Sequence, residues 1–237
     1  MARSPVSRGS SAERPRIVVA TRSTHKLREL RELLGGTRVE LVDLDDVGVP
    51  PGAEPVEDGR TFEANARLKA RYYARMTGLP TLADDSGIEV DALDGAPGVR
   101  TRRYAGEEAT DAQNNAKLLA SLAGLPPERR GARYVCVLAL ADPRPVRAAA
   151  RGSRDASHLR LTRSVPIVAQ SRGTCRGRIA TEPRGTGGFG YDPIFEPATE
   201  KPGGRTLGLW SAAEKHAISH RARAARRMAR RFGERGL

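Results

Sequence analysis

PTLADDSGIEVDALDGAPGV, residues Pro80 to Val99, opens as a short apolar run and stops on two adjacent carboxylates, Asp84 and Asp85. Ser86 and Gly87 follow, and an alternating run resumes from Ile88 to Leu93. Acids gathered at a strand end, beside a glycine that permits a tight backbone, suit a hard cation such as Mg²⁺. The same Asp-Asp-Ser-Gly also reads as the turn between two hairpin strands. Alone, the stretch supports both readings.

Working outward, strands and helices interleave. Ile17 to Ala20 reads as a short buried strand, and Thr21 to Lys26 as the loop into a helix over 25–34. A strand near Val39 to Val42 precedes a Pro/Gly/acid-rich loop over 43–60. Thr61 to Met76 reads as a helix, with Phe62, Ala66, Ala70 and Tyr73 at three- and four-residue spacing, ended by Gly78 and Pro80. Thr110 to Leu122 reads as another, with Thr110 or Asp111 near its N-cap. RYVCVLALA (Arg133 to Ala141) has the continuous apolar character of a strand buried on both faces. Ile167 to Ala180 alternates like a strand, and a last long helix begins near Ser211, where Glu214 completes a capping-box pattern. The fold class is therefore α/β around a mixed sheet.

The chain has 237 residues, enough for one sizeable core. No apolar run approaches the roughly 18 residues of a membrane span, and MARSPVSRGSSAERPR lacks the apolar segment of a secretory signal. Residues 1–15 read as a disordered basic extension, 16–232 as one domain, and 144–165, basic and aperiodic, as an inserted loop. Cys136 and Cys175 lack zinc-ligand spacing and a disulfide framework. A cytoplasmic location is expected.

The net charge of +13 raises the question of nucleic acid, but aromatics are 4% of the chain, too few for a base-stacking platform. Weak, salt-sensitive polyanion binding is expected, without specific nucleic-acid recognition.

Three further constellations carry chemistry. In Thr21-Arg22-Ser23-Thr24-His25-Lys26, hydroxyls and free N–H groups meet a helix N-terminus, which favours a polyphosphate, with Lys26 adding a point charge; ordinary N-capping by Ser23 or Thr24 is the competing reading. GGFGYD (Gly187 to Asp192) offers two aromatic faces on a glycine-permissive loop and then an acid, suited to a stacked base or to a core turn. Lys215, His220 and Arg221 lie on or near the final helix, where a lone His or an arginine run is otherwise structural or solvated.

IVVATRSTHKLREL (Ile17 to Leu30), the Asp-Asp-Ser-Gly segment, GTGGFGYDPIFEP (Gly185 to Pro197) and EKHAISHRARA (Glu214 to Ala224) together resemble, in order, the house-cleaning nucleoside triphosphate pyrophosphatases of the Ham1 or ITPase-like family. The resemblance covers roughly Arg16 to Arg226, apart from a stretch near 144–170. It implies an elongated, twisted mixed sheet flanked by helices, with the active cleft between two lobes, and a homodimer. It implies hydrolysis of ITP, dITP and XTP to the monophosphate and pyrophosphate with Mg²⁺. By resemblance, Glu57 and Asp85 hold the metal, Asp85 activates water with Asp84 supporting it, and Lys69 faces the phosphates; Glu54 rivals Glu57. Residues 21–26 and Ser86 then bind the substrate, Phe189, Gly190 and Tyr191 surround the base, and Asp192, Lys215, His220 and Arg221 read it. Donors there suit a purine carbonyl and oppose the amino group of adenine.

The sequence departs from the family pattern in four places. Ser23 replaces a usual Asn and Arg22 a frequent Gly, while Ala64 replaces an acid and Arg102 an Ala. Two rival readings follow: a related pyrophosphatase for another modified nucleotide, or a basic nucleotide- or RNA-binding protein on a degenerate scaffold.

Overall fold

The computed structural model describes residues 14–144 and 164–235. The readings of 1–15 as a disordered lead and of 144–165 as an insertion therefore fall largely outside the described residues.

Six strands form one mixed sheet. β1 (Arg16–Ala20) pairs in parallel with β2 (Glu40–Val42) and β3 (Thr81–Val90); β3, β4 (Gly131–Ala141), β5 (Ile167–Ile179) and β6 (Phe195–Pro197) then run antiparallel, giving the order β2-β1-β3-β4-β5-β6. Asp-Asp-Ser-Gly is not a turn. β3 runs unbroken through it, with Asp84 opposite Leu138 and Gly87 opposite Val135. Its long antiparallel partner satisfies the backbone on both sides of the acids, so the local turn propensity loses to the ladder. Gly87 contributes close approach rather than a bend: a Cβ there would lie 2.7 Å from the Gly98 carbonyl oxygen.

Helices cover both faces. On one, α2 (Phe62–Thr77) packs Ala66, Ala70, Tyr73 and Ala74 onto Val18, Ala83, Val135 and Val137. Thr61 caps this helix by accepting from the Ala64 N–H at 3.1 Å, and Gly78 ends it in the left-handed region at φ 67°. On the other face, α1 (Thr24–Leu34) and α5 (His220–Glu234) bring Leu30, Leu34, Ala224, Met228 and Phe232 onto Ile17, Val19, Leu82 and Leu138. Removing one such large apolar side chain from water contributes about 1.5–3 kcal/mol. Two covered faces explain why β4 is apolar at nearly every position. A third cluster, around Ile88, Leu118, Tyr134, Phe195 and Leu207, fills the far end of the sheet beside α3 (Asp111–Ser121). The first two clusters make one lobe and the third the other.

The expected last long helix is two. α4 (Ala212–Ile218) begins with the predicted capping box of Ser211 and Glu214, and stops at Ser219, whose backbone is extended. Ser219 then caps α5 by accepting from the Ala222 N–H at 3.1 Å. A serine that offers its hydroxyl to the backbone competes with helix continuation, and here that restart sets His220 and Arg221 at a helix start.

Candidate active site

Successive residues of a strand face opposite ways, so Asp84 and Asp85 belong to different surroundings. Asp84 enters the α1/α5 side and is almost fully buried. Its carboxylate accepts from Arg221 Nε at 2.9 Å, Lys26 Nζ at 2.9 Å, Ser86 Oγ at 2.8 Å and Cys136 Sγ at 3.2 Å. Burial opposes its ionisation, yet Arg221 and Lys26 prevail and hold the carboxyl well below its usual value.

Asp85 enters the α2 side, where Lys69 Nζ donates to its Oδ1 at 2.9 Å and to Glu57 at 3.0 Å. Its second oxygen, Oδ2, is buried without a protein partner. Burial pushes the Asp85 carboxyl above its usual value in spite of Lys69. Burial also works against the Lys69 charge, but Asp85 and Glu57 outweigh it and raise its pKa. Lys69 selects Glu57; Glu54 is exposed and outside this ion pair.

Among the described residues no group of three or more His, Cys, Asp or Glu side chains forms a cage for a metal. Two carboxylates on one cleft wall, one with a free buried oxygen, still fit a hard divalent cation whose remaining ligands are water and phosphate oxygens.

The base-side residues form a second constellation. Phe189 stacks on His25 with ring centroids 5.1 Å apart, and Lys215 Nζ lies 4.6 Å from the Phe189 centroid. Lys215 Nζ donates to Asp192 at 2.7 Å and lies 3.0 Å from Glu29. Asp192 accepts from the Phe189 N–H at 3.0 Å, beneath Gly188, whose φ of 74° and proximity to Asp192 Oδ2 leave no space for a Cβ. His220 stacks on Tyr134 at 4.6 Å, and its Nδ1 is buried without a partner. Burial, with Arg221 and Lys215 nearby, keeps this imidazole neutral well below its usual pKa.

Two predicted substrate residues, Arg22 and Tyr191, stand elsewhere, and a third, Ser86, is already engaged within the site. Arg22 reaches away from the helix start: it pairs with Asp45 and donates to the Val49 and Pro50 carbonyls at 2.9 and 2.8 Å, pinning the loop after β2. Tyr191 is buried, and its hydroxyl donates to the Thr101 carbonyl at 2.7 Å, so it belongs to the core rather than flanking Phe189. Ser86 is spent between Asp84 and Arg221. At the helix start, Ser23 caps α1 by accepting from the Lys26 N–H at 3.4 Å, Thr21 Oγ1 accepts from the Ser23 N–H at 3.1 Å, and Thr24 is exposed. Gly190 is gripped at both ends of its backbone, its N–H by Asp111 at 2.6 Å and its carbonyl by Asn115 at 3.1 Å.

Sequence reasoning missed Glu29, which bridges Arg221 Nη1 at 2.5 Å and Lys215 and so joins the two constellations. Burial raises its pKa, but Arg221 and Lys215 bring the net shift below the usual value. The signal was available: Glu29 lies three residues after Lys26 and four before Leu33, on the inward stripe of α1.

The model of the Ham1 family matches residues 17–231. A dITP/XTP pyrophosphatase of an Anaeromyxobacter species is 45% identical, the match covering 90% of this chain and 94% of that protein. The dITP/XTP pyrophosphatase of Geobacter sulfurreducens is also 45% identical, over 94% of this chain and 98% of its own. Among solved structures, a HAM1 protein from Coxiella burnetii superposes with a TM-score of 0.74 at 37% identity, covering 93% of this chain and 99% of its own. A nucleoside-triphosphatase, or dITP/XTP pyrophosphatase, from Mycobacterium abscessus gives 0.66 at 41%, over 90% and 98%. A match through both constellations, from β1 into α5, has one consequence: the chain belongs to the Ham1 family.

Proposed function

We propose that the protein hydrolyses non-canonical purine nucleoside triphosphates (ITP, dITP and XTP) to the monophosphate and pyrophosphate. The observation that carries this reading is a partnerless buried oxygen on Asp85, which shares Lys69 with Glu57, together with an aromatic face at Phe189 flanked by Lys215 and Arg221.

Glu57 and Asp85 would hold the divalent cation, read as Mg²⁺, which supplies charge neutralisation at the phosphates. Asp85, with its raised pKa, accepts a proton from the attacking water. That water oxygen bonds to the α-phosphorus as the bond to the bridging oxygen breaks, and the pair of electrons leaves with pyrophosphate. Lys26 and Lys69 stand where they can offset the departing charge. Asp84 stays ionised and fixes Lys26 for this task, and Arg221 for the base. The base stacks on Phe189. Rings 5.1 Å apart leave no room for a base between them, so His25 gives way when the base uses that face. Lys215, His220 and Arg221 present donors to a purine 6-carbonyl, and an adenine amino group would leave them unpaired. We also propose a homodimer and cytoplasmic action.

Glu57→Gln tests the metal arm. It should lower turnover by orders of magnitude and raise the Mg²⁺ concentration needed for half-activity, with the melting temperature little changed. Unchanged Mg²⁺ dependence would remove Glu57 from the site. The binding-protein alternative has no use for Glu57 and Asp85 together, which is why hydrolysis is preferred.

A further inference from the structure

Towards one end of the sheet, β5 is open on its outer edge. That edge pairs with β6 only at Gly177–Ile179, and the Arg176 carbonyl accepts from the Ala198 N–H at 2.9 Å, leaving Ile167 to Cys175 without a strand partner on that edge among the described residues. Two adjoining depressions of about 580 and 370 Å³ run beside it, sharing Gln170, Arg231 and Glu234 in their walls. α5 lays arginines along this edge at four-residue spacing. Arg223 donates to the Thr174 carbonyl at 2.9 Å, Arg227 to that of Arg172 and Arg235 to that of Val168. From α2, Arg67 donates to the Gln170 side chain at 2.6 Å and Arg71 to the Val165 carbonyl at 3.1 Å.

Each of these guanidiniums is fixed by a neutral acceptor, so it is ordered, and among the described residues none of them pairs with an acid. Among those residues, Arg172 with Glu63 and Arg231 with Glu234 are the acid pairs on this wall. An arginine has five N–H donors, and these bonds use a minority of them. Prepaid ordering of that kind favours an anion.

The groove also excludes occupants. Strand addition needs the outward carbonyls of β5, and arginines already occupy three of them. A two-fold axis here would press the arginines against their own copies, so a second subunit does not fit. No aromatic side chain lines either depression among the described residues, so bases would find no stacking face.

We propose that this arginine-lined groove binds an extended, base-free chain of phosphates, a linear polyphosphate, independently of nucleotide hydrolysis. The test is calorimetric titration of the full chain with inorganic polyphosphate at several salt concentrations. Wild-type protein is compared with Arg67→Gln/Arg71→Gln/Arg235→Gln and with a charge-matched control, Arg100→Gln/Arg102→Gln/Arg129→Gln. The groove variant should lose about tenfold or more in affinity, its log–log salt slope should fall by about two, and its hydrolysis should be unchanged. The control should bind as the wild type does. Equal loss in both variants would reduce the effect to net charge and overturn the proposal. So would polyphosphate binding that survives in the groove variant, or tighter binding of an oligonucleotide of equal charge.

Discussion

Asp85 is held in a state that suits reaction better than folding. Its carboxyl is buried, one oxygen lacks a partner, and burial raises its pKa, so its ionised form is less favoured than that of an exposed aspartate. Asp85→Asn should therefore cut turnover by about 10²–10⁴-fold while leaving the melting temperature equal to or above that of the wild type. Wild-type-like turnover would remove Asp85 as the base. The pH dependence follows from the same shift. The base form is required, so kcat/KM should fall as pH drops through a value above the ordinary 3.8 of an aspartate, and a pH–rate profile locates it. Asp84 has the opposite sign. Its pKa is depressed, so its contribution to stability is complete above 3.8 and is lost only as pH falls through its much lower folded value. Inactivation on the acid side should accordingly precede acid unfolding, and circular dichroism beside activity checks that order. At this scale the sequence singled out groups that the structure brings together, as with Glu57, Lys69 and Asp85, or Asp192 and Lys215. It was misleading where a side chain's direction decides. Neither Arg22 turning onto Asp45 nor Tyr191 turning onto Thr101 leaves a trace in local pattern.

Among the elements, α5 depends on a glycine. Its first turn lies directly on β5, where a Cβ at Gly173 would stand 2.1 Å from the His220 carbonyl oxygen and 2.5 Å from the Ala224 nitrogen. Both obstacles are backbone, so Gly173→Ala must shift the helix start and with it His220 and Arg221. A loss of about 1–3 kcal/mol in stability and a larger fall in kcat/KM for the 6-oxo purine substrates should follow, read by denaturant unfolding and steady-state kinetics. Retained kinetics would show that α5 tolerates displacement. Element reading worked where periodicity was strong, in α2, α3 and β4. It failed at Asp-Asp-Ser-Gly and at Ser219. In the first a partner strand contributed by residues 131–141 overrode turn chemistry. In the second a single hydroxyl split a helix whose apolar pattern continues across the break.

Across the whole molecule, one chain of ionic contacts joins the two ends of the proposed substrate. It runs from Lys26 through Asp84, Arg221, Glu29 and Lys215 to Asp192, which holds the Phe189 backbone. The proposed phosphate wall comes from β3, α1 and α2, and the proposed base wall from α4, α5 and the glycine loop before β6. Binding a purine at one end and phosphates at the other therefore engages both lobes. Glu29, the joint of this chain, lies on the inward stripe of α1, but what it joins is not legible locally, because its partner Arg221 is 192 positions away. The central claim concerns both chemistry and base choice. Pyrophosphate release from dITP, XTP, ATP and GTP, with Mg²⁺ and with chelator, tests both at once. The account predicts rapid Mg²⁺-dependent release from dITP and XTP and little from ATP, whose 6-amino group leaves the donors unpaired, while GTP reports whether the 2-position is read as well. Release from none of them, or equal release from ATP, would contradict it.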